Sequence, residues 1–284
     1  KRWNAIFSQN GISNLASFIV DMEHNEVLSY SGNVDFYKTT SSNQVDIIRA
    51  ARSTGSILKP FLYCAMLQEG LLMPGELLPD IPININGFSP KNFSLKYDGA
   101  VAADESLARS LNIPWVVSLR KYSVPKFYDL LKKVGITTLN KPAGHYGLSL
   151  ILGGAEANLW EVANGFAQLA QTVNDFNREQ VYYEKESFRY EKPETSANKR
   201  KRVTGSQTSF QAGAAWLTLQ ALTNVNRPEE IDWQFIPSVR KVAWKTGTSF
   251  GFRDGWAIGV TPRYLVAVWT GNANGEGRPG LTGA

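Results

Sequence analysis

The chain has one cysteine and two histidines among its 284 residues, and it has no long apolar run. The single thiol, Cys64, cannot form a disulfide within the chain, and its apolar helical surroundings predict a small buried side chain. No apolar segment approaches the roughly 20 residues that a membrane helix needs. His24 and His145 stand in turn-like surroundings, and no metal-ligand spacing is present. We therefore expect neither a metal nor another cofactor.

A large excess of one charge is also missing, since 30 Lys+Arg against 25 Asp+Glu give a net charge of +5. The densest basic run, 199–202, contains no interleaved aromatic residues of the kind that stack on nucleic acid bases. We expect this run to be a solvated loop, and we expect no nucleic acid partner. With 43% hydrophobic residues, the chain has the composition of a globular domain with a sizeable core.

Local patterns predict an α+β fold. A hairpin of two strands opens the chain, and three consecutive strands close it, so we expect one antiparallel sheet of about five strands flanked by helices. The region between them is predicted to form an all-helical half. The expected strands are 16–21, 26–30, 241–249, 255–261 and 263–270, and the expected helices are 57–69, 104–109, 125–134, 156–170 and 209–222.

Two finer expectations follow from the same patterns. Both alternating faces of 264–269 are apolar, so that strand should be covered on both sides. The stretch 174–207 is the most polar part of the chain, and it could hold a small hairpin at 180–188.

The pattern Ser-x-x-Lys can bring a nucleophile and a base together, because residues three apart share a face of a helix. A desolvated lysine next to another cation has a lowered pKa and can take the serine proton. Spacing alone does not choose among five copies, but only Ser56 follows a glycine at the start of a long apolar helix. The copies are Ser56/Lys59, Ser118/Lys121, Ser123/Lys126, Ser196/Lys199 and Ser238/Lys241.

Two further motifs follow along the chain. Ser-x-Asn is common, but Ser110-Leu111-Asn112 is the copy that we expect in a turn between helices; the others begin at Ser8, Ser31, Ser41 and Ser196. Lys245-Thr246-Gly247-Thr248 occurs once, on a predicted strand where the two threonines share one face and can bind a carboxylate. Gly247 between them would leave room for a substrate along the strand.

In this order the three motifs resemble the signature of penicillin-binding proteins and class A β-lactamases. Their surroundings are similar to the transpeptidase domains of class A penicillin-binding proteins over roughly 16–271, and least so at 174–207. The segments that carry this likeness are STGSILKPF, GFSPKNF, ESLARSLNIP, HYGLSLILGGAE and WKTGTSFGFRDGWAIGV.

The resemblance implies one transpeptidase domain over residues 1–284 with the penicillin-recognising fold. Relatives usually carry an upstream membrane anchor and a glycosyltransferase domain. The chain starts without methionine and ends in a Gly/Pro-rich stretch, so we expect a fragment of a longer protein. The full protein would lie on the periplasmic face of the inner membrane, and it would meet the membrane only through segments missing here.

The resemblance also implies roles for the motif residues. Ser56 would attack the penultimate D-alanine of a peptidoglycan stem peptide, with Lys59 as proton acceptor. Ser110, Asn112 and Lys245 would relay the proton and hold the peptide, while Thr246, Gly247 and Thr248 would form the substrate-binding strand, with both threonines on the terminal carboxylate. The backbone N–H groups of Ser56 and Thr248 would form the oxyanion hole. The expected partners are stem peptides and β-lactam antibiotics, which would acylate Ser56.

Three alternatives remain open at this point: a β-lactamase, a D,D-carboxypeptidase, and a penicillin-recognising sensor or scaffold without cross-linking activity. A β-lactamase needs a carboxylate to activate water. Glu156 offers one, but we expect it to open a helix and to meet the helix dipole, and Trp160 stands where class A enzymes have asparagine. A sensor would show a damaged motif, and none is damaged. Trp115, where relatives more often have a small residue, either narrows the cleft or fills the core.

Overall fold

A computed structural model describes residues 2–35, 37, 42–190, 200–225 and 241–283. Its strands are β1 (Asn14–Asp21), β2 (Glu26–Ser31), β3 (Arg52–Ser53), β4 (Leu77–Asp80), β5 (Gly99–Ala102), β6 (Glu156–Ala157), β7 (Tyr182–Tyr183), β8 (Arg202–Val203), β9 (Ala243–Thr248), β10 (Asp254–Val260) and β11 (Tyr264–Gly271). Its α-helices are α1 (Arg2–Gln9), α2 (Lys59–Gln68), α3 (Ala103–Ala108), α4 (Ile113–Tyr122), α5 (Val124–Val134), α6 (Ala143–Tyr146), α7 (Leu159–Glu179) and α8 (Ala212–Thr223).

One five-stranded antiparallel sheet forms the framework, in the order β2-β1-β11-β10-β9. The hairpin that opens the chain therefore joins the three closing strands through the β1–β11 pair, as the sequence predicts. Strand β9, which carries the Lys-Thr-Gly motif, lies at one edge. An edge strand offers unpaired backbone groups to a neighbour.

Strand β11 differs from expectation. Its inward residues Leu265, Ala267 and Trp269 are fully buried, whereas Tyr264 and Val266 on the other face are 38% and 41% exposed. The prediction of cover on both sides is wrong for this half of the strand. An antiparallel sheet can leave one face in contact with solvent, so apolar alternation alone does not establish cover.

Helix α2 is the central element of the helical half. Eight of its ten residues are buried, and it packs against α8, α3 and α4. A helix that is buried all round lacks an amphipathic stripe, which matches the continuous apolar run in the sequence. The helix begins at Lys59 rather than 57, with Pro60 in its first turn. Hydrogen bonds from Ile57 N to Thr54 O and from Lys59 N to Ser56 O lead into it as i→i−3 turns.

The helix predicted at 156–170 is displaced. Glu156 lies in β6, where it pairs with Ser53, and α7 begins only at Leu159. Asn158 caps α7 by accepting a hydrogen bond from the backbone N–H of Glu161 at 2.8 Å. The interpretation of Glu156 as a partner of the helix dipole is therefore wrong. Glu161 occupies that position in the first turn.

The polar stretch also folds differently from the predicted 180–188 hairpin. Helix α7 extends into it as far as Glu179, and Tyr182–Tyr183 pairs with Arg202–Val203 instead. Within the described part of the basic run, each residue lies near a carboxylate: Arg200 with Asp175, Lys201 with Glu184 and Arg202 with Glu179. Lys199 lies outside the described residues. The expectation of a solvated loop is thus only partly met, because Lys201 and Arg202 are exposed but Arg202 begins strand β8.

Cys64 and Trp115 are buried core residues, and each bears on an expectation from the sequence. Cys64 is fully buried, and burial raises the pKa of its thiol to about 12. Trp115 is fully buried and meets Tyr63 edge to face, with ring centroids 5.7 Å apart. Trp115 therefore fills the core. Across the described residues, no helix has both the length and the apolar character to cross a membrane.

Candidate active site

Ser56 lies in the turn that precedes α2, between the sheet and a loop of the helical half. Gly55 has φ +51°, and a Cβ added there would lie 2.5 Å from the carbonyl oxygen of Thr248 on β9. On the other side, a Cβ on Gly153 would lie 2.7 Å from the Gly55 nitrogen. Real Cβ atoms do not approach backbone atoms so closely, so both glycines are required by packing. They hold the Ser56 turn directly against the end of β9.

Close packing also requires a glycine at position 247. A Cβ at this position would lie 2.8 Å from the carbonyl oxygen of Thr54 and 3.2 Å from the nitrogen of Ile57. The Ser56 turn therefore fills the space beside Gly247 that we expected a substrate to occupy. The glycine lets the edge strand approach that turn.

Lys59 is fully buried beneath the turn. Its Nζ donates hydrogen bonds to Ser110 O at 2.9 Å, Leu111 O at 2.8 Å and Asn112 Oδ1 at 2.8 Å. Burial, followed by the positive charge of Lys245, holds the pKa of Lys59 well below its usual value. Burial and the neighbouring charge thus disfavour the charged form of the amine, while its three acceptors suit the three donors of an ammonium group.

Ser110 occupies the position after α3 where a glycine is common. Its φ is +58°, and the backbone N–H of Leu111 bonds to Ser106 O at 3.0 Å, which is the closing bond of a Schellman motif. A non-glycine residue in the left-handed region costs about 1 kcal/mol. This turn directs the carbonyl groups of Ser110 and Leu111 towards Lys59.

Lys245 reaches Ser110 from the sheet. It is 1% exposed, and its Nζ donates to Ser110 Oγ at 2.8 Å and to Thr246 O at 2.6 Å. Burial lowers the pKa of Lys245 to about 7. Ser110 therefore receives Lys59 at its carbonyl oxygen and Lys245 at its hydroxyl, so that one residue joins the elements that carry the three motifs.

The two threonines lie on the other face of the edge strand. Burial alternates along β9, with Lys245 and Gly247 buried and Thr246 and Thr248 half-buried. The predicted shared face of the threonines is therefore confirmed. The hydroxyl oxygen of Thr248 accepts a hydrogen bond from the backbone N–H of Gly283 at 3.1 Å.

The other described copies of Ser-x-x-Lys have structural roles. Ser118 is buried within α4. Ser123 caps α5 by accepting from the backbone N–H of Lys126, whose side chain pairs with Glu69. Ser196, Lys199 and Ser238 lie outside the described residues. In the described part of the chain, Ser56 is thus the serine of this pattern whose lysine is buried beside a second motif.

Sequence reasoning missed the residues that support the site. Gly55 was used only to single out Ser56, and its close packing against Thr248 was not foreseen, while Gly153, which packs against Gly55 from the other side, was missed altogether. Asn92 donates and accepts hydrogen bonds beside Asn112, but only the resemblance drew attention to its segment.

A metal centre finds little support in the described residues. One group there has suitable ligands close together, Asp21, Glu23 and His24 at the β1–β2 turn. Arg263 already pairs with the Asp21 carboxylate at 3.1 Å. None of these residues belongs to the three motifs.

Comparison with known proteins bears on the same residues. The model of the penicillin-binding protein transpeptidase domain family matches residues 15–280. The chain is 34% identical over 263 residues to penicillin-binding protein 1C of Escherichia coli K12, which covers 93% of this chain and 32% of that protein. It is 28% identical over 247 residues to penicillin-binding protein 1B of Vibrio cholerae, covering 84% and 30%. The chain spans about a third of the length of these curated relatives.

Solved structures agree on the fold. Penicillin-binding protein 1A from Haemophilus influenzae matches with a TM-score of 0.75 at 19% identity, covering 95% of this chain and 45% of that one. The PonA1 protein from Mycobacterium tuberculosis, in complex with penicillin V, matches with a TM-score of 0.72 at 20% identity, covering 99% and 77%. Together, the fold, the order of the motifs and the family match lead to one conclusion: the chain belongs to the penicillin-binding protein transpeptidase domain family.

Proposed function

We propose that this domain is a peptidoglycan D,D-transpeptidase that forms an acyl-enzyme on Ser56. The observation that carries the proposal is the junction at Ser110, where a buried lysine from each half of the site meets one serine. Two buried amines with lowered pKa values next to a hydroxyl group provide the proton acceptor that a serine nucleophile without histidine needs.

Acylation begins when Ser56 Oγ attacks the carbonyl carbon of the penultimate D-alanine of a stem peptide. The hydroxyl proton passes to neutral Lys59, and the resulting ammonium group has three oxygen acceptors. The carbonyl oxygen becomes an oxyanion that the backbone N–H groups of Ser56 and Thr248 stabilise, a role supported by the close approach of Gly55 to Thr248.

The C–N bond then breaks, and the leaving nitrogen of the terminal D-alanine takes a proton relayed through the Ser110 hydroxyl and Lys245. Thr246, Thr248 and the charge of Lys245 hold the terminal carboxylate until it departs. Lys59 is neutral again once its proton has passed along this relay to the departing D-alanine. The amine of a second stem peptide then attacks the acyl carbon and loses a proton to Lys59. The ester bond to Ser56 Oγ breaks, Lys59 returns the proton to that oxygen, and the new amide bond closes the cross-link. β-Lactams follow the first step and leave Ser56 acylated. No cofactor takes part.

The location follows from the same proposal. The substrate lies outside the cytoplasmic membrane, so the domain acts on the periplasmic face. An anchor and a glycosyltransferase domain would belong to the longer protein.

Labelled penicillin tests the nucleophile. We expect intact-mass analysis to show one adduct, and peptide mapping to place it on Ser56. Ser56→Ala should lose the label, and Ser118→Ala, which changes another Ser-x-x-Lys serine, should keep it. An adduct on any other serine would contradict the assignment.

A donor peptide ending in D-Ala-D-Ala, offered with candidate amine acceptors, separates the related activities by mass spectrometry. Cross-linked product supports the transpeptidase, whereas release of D-alanine without cross-links indicates a D,D-carboxypeptidase. Acylation by penicillin without turnover of any peptide indicates a sensor. The penicillin adduct should persist for many minutes; rapid turnover that is lost in Glu156→Ala would indicate a β-lactamase.

A further inference from the structure

Asn92 is a buried polar residue in the connection between β4 and β5. Its side chain is 1% exposed. Its Oδ1 accepts hydrogen bonds from the backbone N–H groups of Asn112 at 2.8 Å and Ile113 at 3.3 Å. Its Nδ2 donates to Asp80 Oδ1 at 2.6 Å and to Lys96 O at 3.0 Å. Both amide donors and the carbonyl oxygen are therefore used.

Two of these bonds meet the start of α4. Asn112 occupies the N-cap position of α4, but its own side chain makes no capping hydrogen bond. An asparagine at this position ordinarily caps with its own oxygen. Here Asn92 accepts from the N–H groups of Asn112 and Ile113, and the Asn112 amide binds Lys59 instead of capping the helix.

The same segment determines which way the Asn112 amide points. The carbonyl oxygen of Lys91 can only accept, and it receives Asn112 Nδ2 at 2.8 Å. The Oδ1 atom must then face the other way, where it accepts from Lys59 Nζ at 2.8 Å. A flipped amide would place an N–H group against the donors of an ammonium ion.

Asp80 determines which way the Asn92 amide points. It is fully buried, and its second carboxylate oxygen accepts from the backbone N–H of Asp98 at 3.0 Å. Because a carboxylate only accepts, Nδ2 of Asn92 must face Asp80 and Oδ1 must face Asn112. The directions of the hydrogen bonds are thus determined along the network: Asp80 orients the Asn92 amide, and Asn112 accepts from Lys59.

We infer that Asn92 is a positioning residue for the acylation centre, which holds Asn112 so that its Oδ1 accepts from Lys59 while Asp80 orients Asn92. The inference rests on the proposed function for its catalytic consequence. Asn92 touches neither the substrate nor Ser56; it acts through Asn112.

The first experiment measures acylation of Ser56 by labelled penicillin, counting only protein able to react. Asn92→Ala should slow acylation by about tenfold to a hundredfold, because loss of the orienting contacts lets the partner of the base move. Asn84→Ala is the matched control: Asn84 is exposed in the same connection and only forms a local turn with Gly87. It should acylate like the wild type.

A second variant exchanges the two partners, Asp80→Asn with Asn92→Asp. The new carboxylate can still accept from the start of α4 and from the new amide at position 80, and only Lys96 O loses its donor. The exchange moves a negative charge nearer to Lys59, so it should raise the pKa of Lys59 and shift the rising limb of the acylation pH profile upward. Asn92→Ala should let the Asn112 Oδ1 acceptor move away from Lys59. Because a weaker acceptor stabilises the ammonium form less, the pKa of Lys59 should then fall.

Titration of isotope-labelled lysine by NMR, with the Lys59 signal assigned from Lys59→Arg, reads these shifts without catalysis. Every test variant keeps the charged side chains around the network: Lys245 beside Lys59, Asp98 paired with Arg109, and the exposed Lys91 and Lys96.

The outcomes separate the two proposals. If wild-type Ser56 is not acylated, the proposed function fails, and opposite pKa shifts of Lys59 in the two variants would still support the positioning role. If the wild type is acylated, but both variants match it in rate and in Lys59 titration while melting at a lower temperature, Asn92 only supports the fold and the inference is overturned.

Discussion

In the described residues, two pairs of lysines lie close enough for one amine to lower the pKa of the other. They differ in what the amines bind, because Lys245 donates to a serine hydroxyl, whereas the amines of Lys133 and Lys185 donate to backbone carbonyls. Lys59 and Lys245 are fully or almost fully buried, and Lys245 donates to Ser110 Oγ. Lys133 and Lys185 lie between α5 and the polar stretch, where Lys185 Nζ donates to Lys133 O at 2.8 Å. Both pairs bring like charges together, but they do so in different surroundings.

The comparison shows what a lowered lysine pKa can and cannot indicate. Burial and then Lys133 lower the pKa of Lys185, and these are the same two causes as at Lys59. Lys133 donates to the backbone carbonyls of Ser206 and Thr208, so this pair closes a loop. A perturbed pKa indicates a catalytic amine only where a nucleophile lies within reach.

The largest effect should come from Lys59→Arg. A guanidinium group cannot be deprotonated in the working pH range, so acylation by labelled penicillin should fall about a thousandfold. Lys185→Arg, the matched change in the other pair, should leave the rate unchanged. Stopped-flow acylation measures both, and equal rates for the two variants would remove the distinction between the pairs.

A smaller loss is expected for Lys245→Arg. Arginine keeps the positive charge that we propose for holding the substrate carboxylate, so appreciable acylation should remain, within about a hundredfold of the wild type. If Lys245→Arg were slower than Lys59→Arg in the same assay, the base and the carboxylate anchor would have to be exchanged.

Stability should depend on pH through Lys245. Its folded pKa of about 7 lies below the ordinary value of 10.5. Between these values the unfolded chain binds more protons, so the free energy of unfolding should rise with pH, by up to about 1.4 kcal/mol per pH unit. Urea unfolding of wild type and Lys245→Met from pH 7 to 10 measures the difference. A slope unchanged by Lys245→Met would show that this amine is not held in a shifted state.

The smallest effect concerns the backbone of Ser110. Ser110→Ala and Ser110→Gly both remove the hydroxyl group and should both impair acylation. Because φ is +58°, the glycine variant should be more stable than the alanine variant by about 1 kcal/mol. Thermal unfolding compares the two proteins, and equal stabilities would mean that the turn is not strained.

Much of the site could be predicted from the sequence, because its signals are local. A glycine before Ser56, a proline one residue after Lys59 and an apolar run behind them place Ser56 at the entry to a helix. The alternation in β9 places its two threonines on one face. The five-stranded sheet follows from the short alternating runs at both ends of the chain.

Other features could not be read from neighbouring residues, since their causes lie far away in sequence. The sequence around Glu156 predicted the start of a helix, but Glu156 pairs with Ser53 in a short strand, and the helix begins only after its cap at Asn158. Gly247 was expected to leave space for a substrate, but the absence of a side chain there makes room for the carbonyl oxygen of Thr54.

The sequence by itself determined the chemical groups of the site, their order and their local geometry, because turns and periodicity depend on adjacent residues. Only the tertiary structure decided which groups meet: the acceptors around Lys59 come from residues 51 to 53 positions away, and Lys245 reaches Ser110 across 135. The pKa of a lysine depends on burial and on nearby charge, and both arise only when the two halves of the domain pack together.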